Sequence, residues 1–403
     1  MSHRVAITGI GMVTPLGSEP GEILARIAAG ESAASAPSTF DASPFDCPVC
    51  TEIRDFDANR YFPENKTLRL MNRDAQLAAA AARLSLQDAG LRVGSDYPAE
   101  DVALYGATGF AGVPIADITS LVRNSAASDG RLDLGRFGRE ALKRVRPVLS
   151  FKTLANMPIC FVSIFEGIRG PNAVYTPWEG QGVRALVAGL QAVRSGRVSC
   201  AVVGGCDFKT HAIAFISLEQ HGVFRSWRED SGGTIPGEGA AFLVLEEIEH
   251  ARRRGTKIYA SVAGWQVLTT GDDDRADAFR DVMRALGPDR PDAVMAAADG
   301  DARADACEQR ALAELDVPPD MVTRPKKHLG NLFAAAAAVQ VGLAAALVGQ
   351  ASAFARGSTP LRRSSFLPVP EGGHARMTAR PGRAWANCFG HGSEIASFAL
   401  EKA

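Results

Sequence analysis

Thiols and imidazoles are the side chains here best suited to nucleophilic or acid–base work, and both are sparse. The seven cysteines stand at 47, 50, 160, 200, 206, 307 and 388 of 403 residues, too scattered for a disulfide framework. Cys47-Pro-Val-Cys50 is a C-x-x-C pair. No second pair or His-x-x-x-His run accompanies it, so no metal is expected and two small loop residues are the preferred reading. Cys200 and Cys206 bracket an apolar strand, Cys160 falls in a helix and Cys388 precedes a glycine turn. Each reads as a small buried hydrophobe rather than a reactive thiol.

The elements that must position any site alternate between strands and helices. Residues 4–17, RVAITGIGMVTPLG, form an apolar strand running into a glycine turn, and a helix follows around EILARIAAG. Residues 31–65 are rich in Pro, Ser and Asp and read as irregular cover, and 113–150 as a surface excursion. A long helix is expected over 69–91, a strand over 101–109, a helix over 156–166, a short strand over 172–175 and a helix over 180–195. In the last of these Val183, Leu186, Val187, Leu190 and Val193 recur at helical spacing. SCAVVGGCD (199–207) reads as a buried strand, and 237–255 as strand then helix. A second series follows to the end of the chain, including the Ala-rich run 331–349. Two such series, 1–255 and 256–403, imply an α/β body with a duplicated core.

Bulk composition narrows the class. Hydrophobic residues make up 46% and 44 basic residues face 45 acidic ones, a net charge of −1. That balance argues against a nucleic-acid or anionic-membrane surface. The run 331–349 is apolar but Ala-rich and contains Gln340, so it is expected as a helix buried in protein rather than in lipid. A strand begins almost at once with no charged-then-apolar leader, so a cytoplasmic location is expected.

These segments together resemble the β-ketoacyl-acyl-carrier-protein synthase family of the thiolase superfamily. The resemblance is carried by VAITGIGMVTPLG, RLMNRDAQLAAAAARLSLQDAGL, GIRGPNAV with its spacing to SGRVSCAVVGG, PGEGAAFLVLEEIEHARRRGTKIYA, the 326–339 stretch and NCFGHGSEIA. Several motifs in order over nearly the whole chain are far more specific than one glycine-rich loop. The resemblance implies two similar βαβ halves in a five-layer αβαβα sandwich, usually dimeric.

It also implies where the active site belongs. Condensing members use one cysteine at a helix N-terminus, where the dipole favours thiolate, and two histidines that support decarboxylation and stabilise an enolate oxygen. The nucleophile position lies nine residues after the glycine of the Gly-Pro pair, Gly170, and seventeen before Gly196, and both counts reach Glu179. A carboxylate suits a helix N-terminus, but a mixed anhydride would be less stable than the thioester it replaced. The first histidine position lies eight residues before Asp305-Ala-Cys-Glu308 and is Ala297. The second follows Lys326-Lys-His-Leu-Gly330 and is Asn331, with Lys326 retained. His328 stands three residues early and is not expected to substitute.

The catalytic triad positions are therefore all changed, and no cofactor is expected. The family's terminal Gly-Phe-Gly-Gly is here Gly390-His391-Gly392-Ser393, which makes His391 the histidine best placed near the pocket. Pro177 and Trp178 stand where small residues are usual, so Trp178 could fill acyl space. Phe110, Leu149, Thr153, Phe161 and Trp178 are the tunnel candidates by family position. The resemblance points to the chain-length-factor subunit of type II polyketide synthases, which pairs with a catalytic ketosynthase and meets acyl carrier protein through the complex. Gln is common at the cysteine position in that class, whereas here Glu179 is followed by Gln181. Two alternatives stay open: an enzyme with rewritten chemistry using Glu179 as base, and a homodimeric scaffold.

Overall fold

The computed structural model describes residues 3–63, 65–110, 112, 115–145, 148–224, 233–271, 275–298, 300–349, 381–390 and 394–403. Ten strands hydrogen-bond into one sheet: β1 (Val5–Val13), β4 (Val102–Thr108), β5 (Asn172–Tyr175), β6 (Cys200–Phe208), β7 (Glu238–Glu247), β8 (Ala260–Thr269), β9 (Ala293–Met295), β10 (Val322–Thr323), β11 (Arg383–Phe389) and β12 (Glu394–Glu401). β2 (Ala34–Ser35) and β3 (Cys50–Thr51) pair separately in the otherwise irregular cover.

The order across the sheet is β10-β9-β11-β12-β8-β1-β7-β6-β4-β5. Read outward from the β8–β1 junction, each side has the same plan. β4 runs parallel to β5 and β6, while β7 is antiparallel to both β6 and β1. In the same way β9 runs parallel to β10 and β11, and β12 is antiparallel to β11 and β8. This is the doubled topology of the thiolase-like fold. The strands near the middle are buried on both faces, which is why they read as continuous apolar runs rather than alternating ones.

Helices fill the remaining layers. Arg73–Asp88 packs on β1, β6 and β7, and Arg275–Arg284 with Ala302–Glu314 covers the other side. Gly180–Arg194 and Ala336–Gly349 pack against each other between the two sets of strands. Every described side chain of Ala336–Val348 is buried, and an all-apolar surface is what a central helix requires. Its one amide, Gln340, donates Nε2–H to the Ala296 carbonyl at 2.6 Å, tying the helix to the end of β9.

That helix starts five residues later than the Ala-rich run suggests. Phe333–Ala335 is a 3-10 turn, with Phe333 at φ +45°, because Asn331 and Phe333 are drawn into a buried polar site. The turn approaches the backbone closely: a Cβ at Gly205 would collide with the Ala334 carbonyl, and one at Gly182 would lie 2.7 Å from the same oxygen. Only a hydrogen fits between strand β6 and this turn. The long early helix is likewise shorter than expected, Arg73–Asp88, with Lys66–Leu70 a separate 3-10 turn.

Gly205→Val should therefore lower the unfolding free energy by about 2 kcal/mol or more, as overpacking against backbone does. Urea denaturation of the purified chain measures this, and an unchanged midpoint would contradict the close approach.

Candidate functional site

Glu179 immediately precedes the Gly180–Arg194 helix and is 3% exposed. Its carboxylate makes no capping bond to its own helix. It turns instead to two groups on the far side of the central layer. Asn331 donates Nδ2–H to Oε1 of Glu179, and the Lys326 ammonium lies 3.4 Å from the same oxygen. Lys326 also donates to the Phe389 carbonyl at 3.2 Å, at the end of β11. The Asn331 amide is oriented by backbone, since its Oδ1 accepts the Phe333 N–H at 2.8 Å. Lys326 and Asn331 are themselves 3% and 0% exposed. A buried carboxylate, a buried ammonium and a fixed amide thus occupy one point where the strand ends and helix ends meet. Gly390 completes the packing, a Cβ there falling 2.8 Å from the Gly180 nitrogen and 3.0 Å from Glu179 Cβ.

Ala297 lies two residues beyond β9, in a segment held by Glu308. The Glu308 carboxylate accepts the N–H groups of Ala297 and Ala298 at 2.8 and 2.9 Å and Asn387 Nδ2–H at 2.9 Å. Burial raises its pKa, and those donors oppose the rise. The Asp-x-x-Glu spacing thereby acquires a structural meaning, anchoring the β9 loop to β11. His328 turns away to the Glu31 carbonyl, with Nδ1 at 2.6 Å. His391 lies outside the described residues.

No thiol beside these groups is activated. Burial pushes Cys47 and Cys388 up to about 12, and raises Cys50, Cys200 and Cys206 as well. A thiolate nucleophile needs the opposite environment.

The tunnel candidates separate. Phe110 and Trp178 meet edge to face, centroids 5.6 Å apart, and both line a cavity of about 230 Å³. Phe161 is packed in a different cluster with Phe62, Met71, Ala75 and Ala79. Thr153 is exposed and Leu149 half-buried in the short Val148–Thr153 helix, and neither lines that cavity. The cavity's remaining wall includes Lys209 and His211, which sequence reasoning passed over. Lys209 is 2% exposed and its ammonium sits 2.6 Å from Asp207, which is also buried. Asp74, at the start of the Arg73–Asp88 helix, belongs to the same group of charges. A visible signal existed: Asp207-Phe-Lys209 places two opposite charges at the end of an apolar strand.

Two predictions follow from this electrostatics. Lys326→Met leaves Glu179 buried with its charge uncompensated and should cost about 3–5 kcal/mol of stability. Lys326→Met combined with Glu179→Gln should recover most of that loss. A denaturation double-mutant cycle showing additive effects would disprove the coupling. Desolvation raises Asp74 to about 7, with Asp207 adding and the Ala75 N–H and Lys209 opposing. Its folded pKa exceeds the unfolded one, so its contribution is full below pH 4 and is lost as pH rises toward 7. Asp74→Asn should therefore gain stability relative to the parent on the order of a few kcal/mol at pH 8 and little at pH 4; equal effects at both pH values would refute the assignment.

Comparison with known proteins adds to this geometry. The family described as Beta-ketoacyl synthase, N-terminal domain, matches residues 2–251. A 3-oxoacyl-[acyl-carrier-protein] synthase 2 from Coxiella burnetii is 26% identical, the match covering 84% of each chain. The tetracenomycin polyketide synthase ketoacyl synthase beta subunit of Streptomyces glaucescens is 27% identical, again over 84% of each. The solved ishigamide ketosynthase/chain length factor aligns over 100% of both chains with a TM-score of 0.77 at 23% identity, a likeness of fold.

Proposed function

We propose that this chain, which belongs to the β-ketoacyl synthase family, serves as a non-condensing subunit of the chain-length-factor kind. It pairs with a catalytic ketosynthase and shapes the tunnel that holds the growing acyl chain. The observation that carries this reading is Glu179. At the position where the family resemblance places a nucleophilic thiol, a carboxylate is buried against Lys326 and Asn331. Thioester exchange needs a nucleophile that can release its acyl group, and decarboxylative condensation needs donors for an enolate oxygen. Ala297 supplies no side-chain donor, and the Asn331 amide is already spent on Glu179 and the Phe333 N–H. The same ion pair weighs against Glu179 as a general base, because a carboxylate beside an ammonium is a weaker proton acceptor.

The surface supports a partner. Ile115, Val122, Leu132, Leu134, Phe151 and Ile164 are 51–73% exposed and all fall within residues 115–164. Large apolar side chains concentrated in one stretch are a feature of interaction surfaces. β5 ends the sheet at Asn172–Tyr175, and among the described residues no strand pairs with its outer edge, leaving backbone groups open to a partner. Both features follow Gly109 and precede Glu179 in the chain, so the partner surface and the site share one region of sequence. The duplicated halves are taken as 1–255 and 256–403, with the partner surface on the first.

Co-expression with the ketosynthase encoded beside it should give a heterodimer by size exclusion and native mass spectrometry. Leu134→Glu with Ile164→Glu should weaken it at least tenfold while leaving the unfolding midpoint intact. Separate elution of the two wild-type chains, or acylation and a 3-ketoacyl product from this chain alone, would overturn the proposal.

A further inference from the structure

The cavity beside Trp178 carries chemistry that the Glu179 site does not use. Its wall is mostly apolar, built from Phe110, Trp178 and the Ile213–Leu218 side of the Ala212–Gln220 helix, yet Lys209 is part of it. The Lys209 ammonium is 2% exposed. It has three N–H donors and one hydrogen-bonded partner, Asp207 at 2.6 Å. Its other close contacts are the faces of Phe110 and Phe333, 5.5 and 5.6 Å to the ring centres. Ring faces attract a cation but accept N–H groups far less well than oxygen does. An ammonium at the wall of an apolar cavity with donating capacity to spare is built to meet an oxygen.

Charge decides which oxygen. The Lys209 charge is already balanced by Asp207, and Asp74 adds further negative character beside them. His211, whose imidazole burial pushes down to about 4, brings no positive charge at neutral pH. A carboxylate ligand would leave this buried group with net negative charge, which desolvation penalises. A ketone or hydroxyl oxygen accepts the same hydrogen bond without that cost.

We propose that this cavity binds an apolar chain bearing a neutral oxygen, with that oxygen on Lys209. The structure thereby assigns Lys209 as a specificity residue selecting oxygen-bearing over fully reduced chains. That the natural ligand is a growing acyl chain rests on the subunit reading above; the binding itself does not, since the isolated chain is the test material.

Methyl hexyl ketone, octanoate and octene, matched in length, are titrated against the full chain by ligand-observed NMR. The ketone should bind roughly tenfold tighter than octene, as a hydrogen bond from a charged donor gives, and tighter than octanoate. Lys209→Met with Asp207→Asn removes both charges together and should abolish the ketone's advantage while octene still binds. Ser217→Phe fills the cavity and should weaken all three. Octanoate binding tightest, a ketone preference surviving the double substitution, or binding unaffected by Ser217→Phe would each overturn the proposal. Co-elution with a ketosynthase is measured separately, so either idea can fail without the other.

Discussion

A carboxylate removed from water must be given a counter-charge and donors, or the fold that buries it will not hold. Glu179 imposes that constraint on the middle of this protein. Its charge is met by Lys326, and its hydrogen bonding by Asn331. Lys326 is in turn fixed to the end of β11 through the Phe389 carbonyl. Asn331 is fixed by the backbone of the turn that opens the central Ala336–Gly349 helix. The pair explains why a lysine persists beside two positions from which the imidazoles are gone: it has a structural task independent of condensation chemistry.

The doubled sheet makes that meeting possible. Glu179 arrives at the end of the segment following β5, while Lys326 and Phe389 arrive from β10 and β11 on the opposite side of the β8–β1 junction. The two central helices bring them together, and glycines at 182, 205 and 390 let backbone stand where a methyl group would collide. Close packing therefore serves electrostatics here: the ion pair forms only if helix, turn and strand end approach within hydrogen-bonding distance.

A second buried cation, Lys209, shows the contrast between a closed and an open polar group. Lys326 is surrounded by protein acceptors and faces no described cavity. Lys209 has one carboxylate, two aromatic faces and a cavity. Two lysines of similar burial are thus suited to different work, one to holding the fold and one to meeting a ligand.

Much of this was legible from the chain alone. Strand and helix order followed from periodicity, and the motif spacing located Glu179, Ala297, Asn331 and Lys326 by counting from fixed glycines and from Asp305 and Glu308. Those features are local or nearly so, and local pattern carries them. Tertiary structure decided the rest. That Asn331 faces Glu179 across 152 positions, that Phe161 packs away from the cavity while Phe110 and Trp178 line it, and that Lys209 is buried at its wall depend on how distant segments converge. A lysine two residues past a strand looks like an ordinary surface charge until the helix at 212–220 and the turn at 333–335 close over it. Burial is a property of the assembled fold, and it is burial that turns those side chains from solvated charges into chemistry.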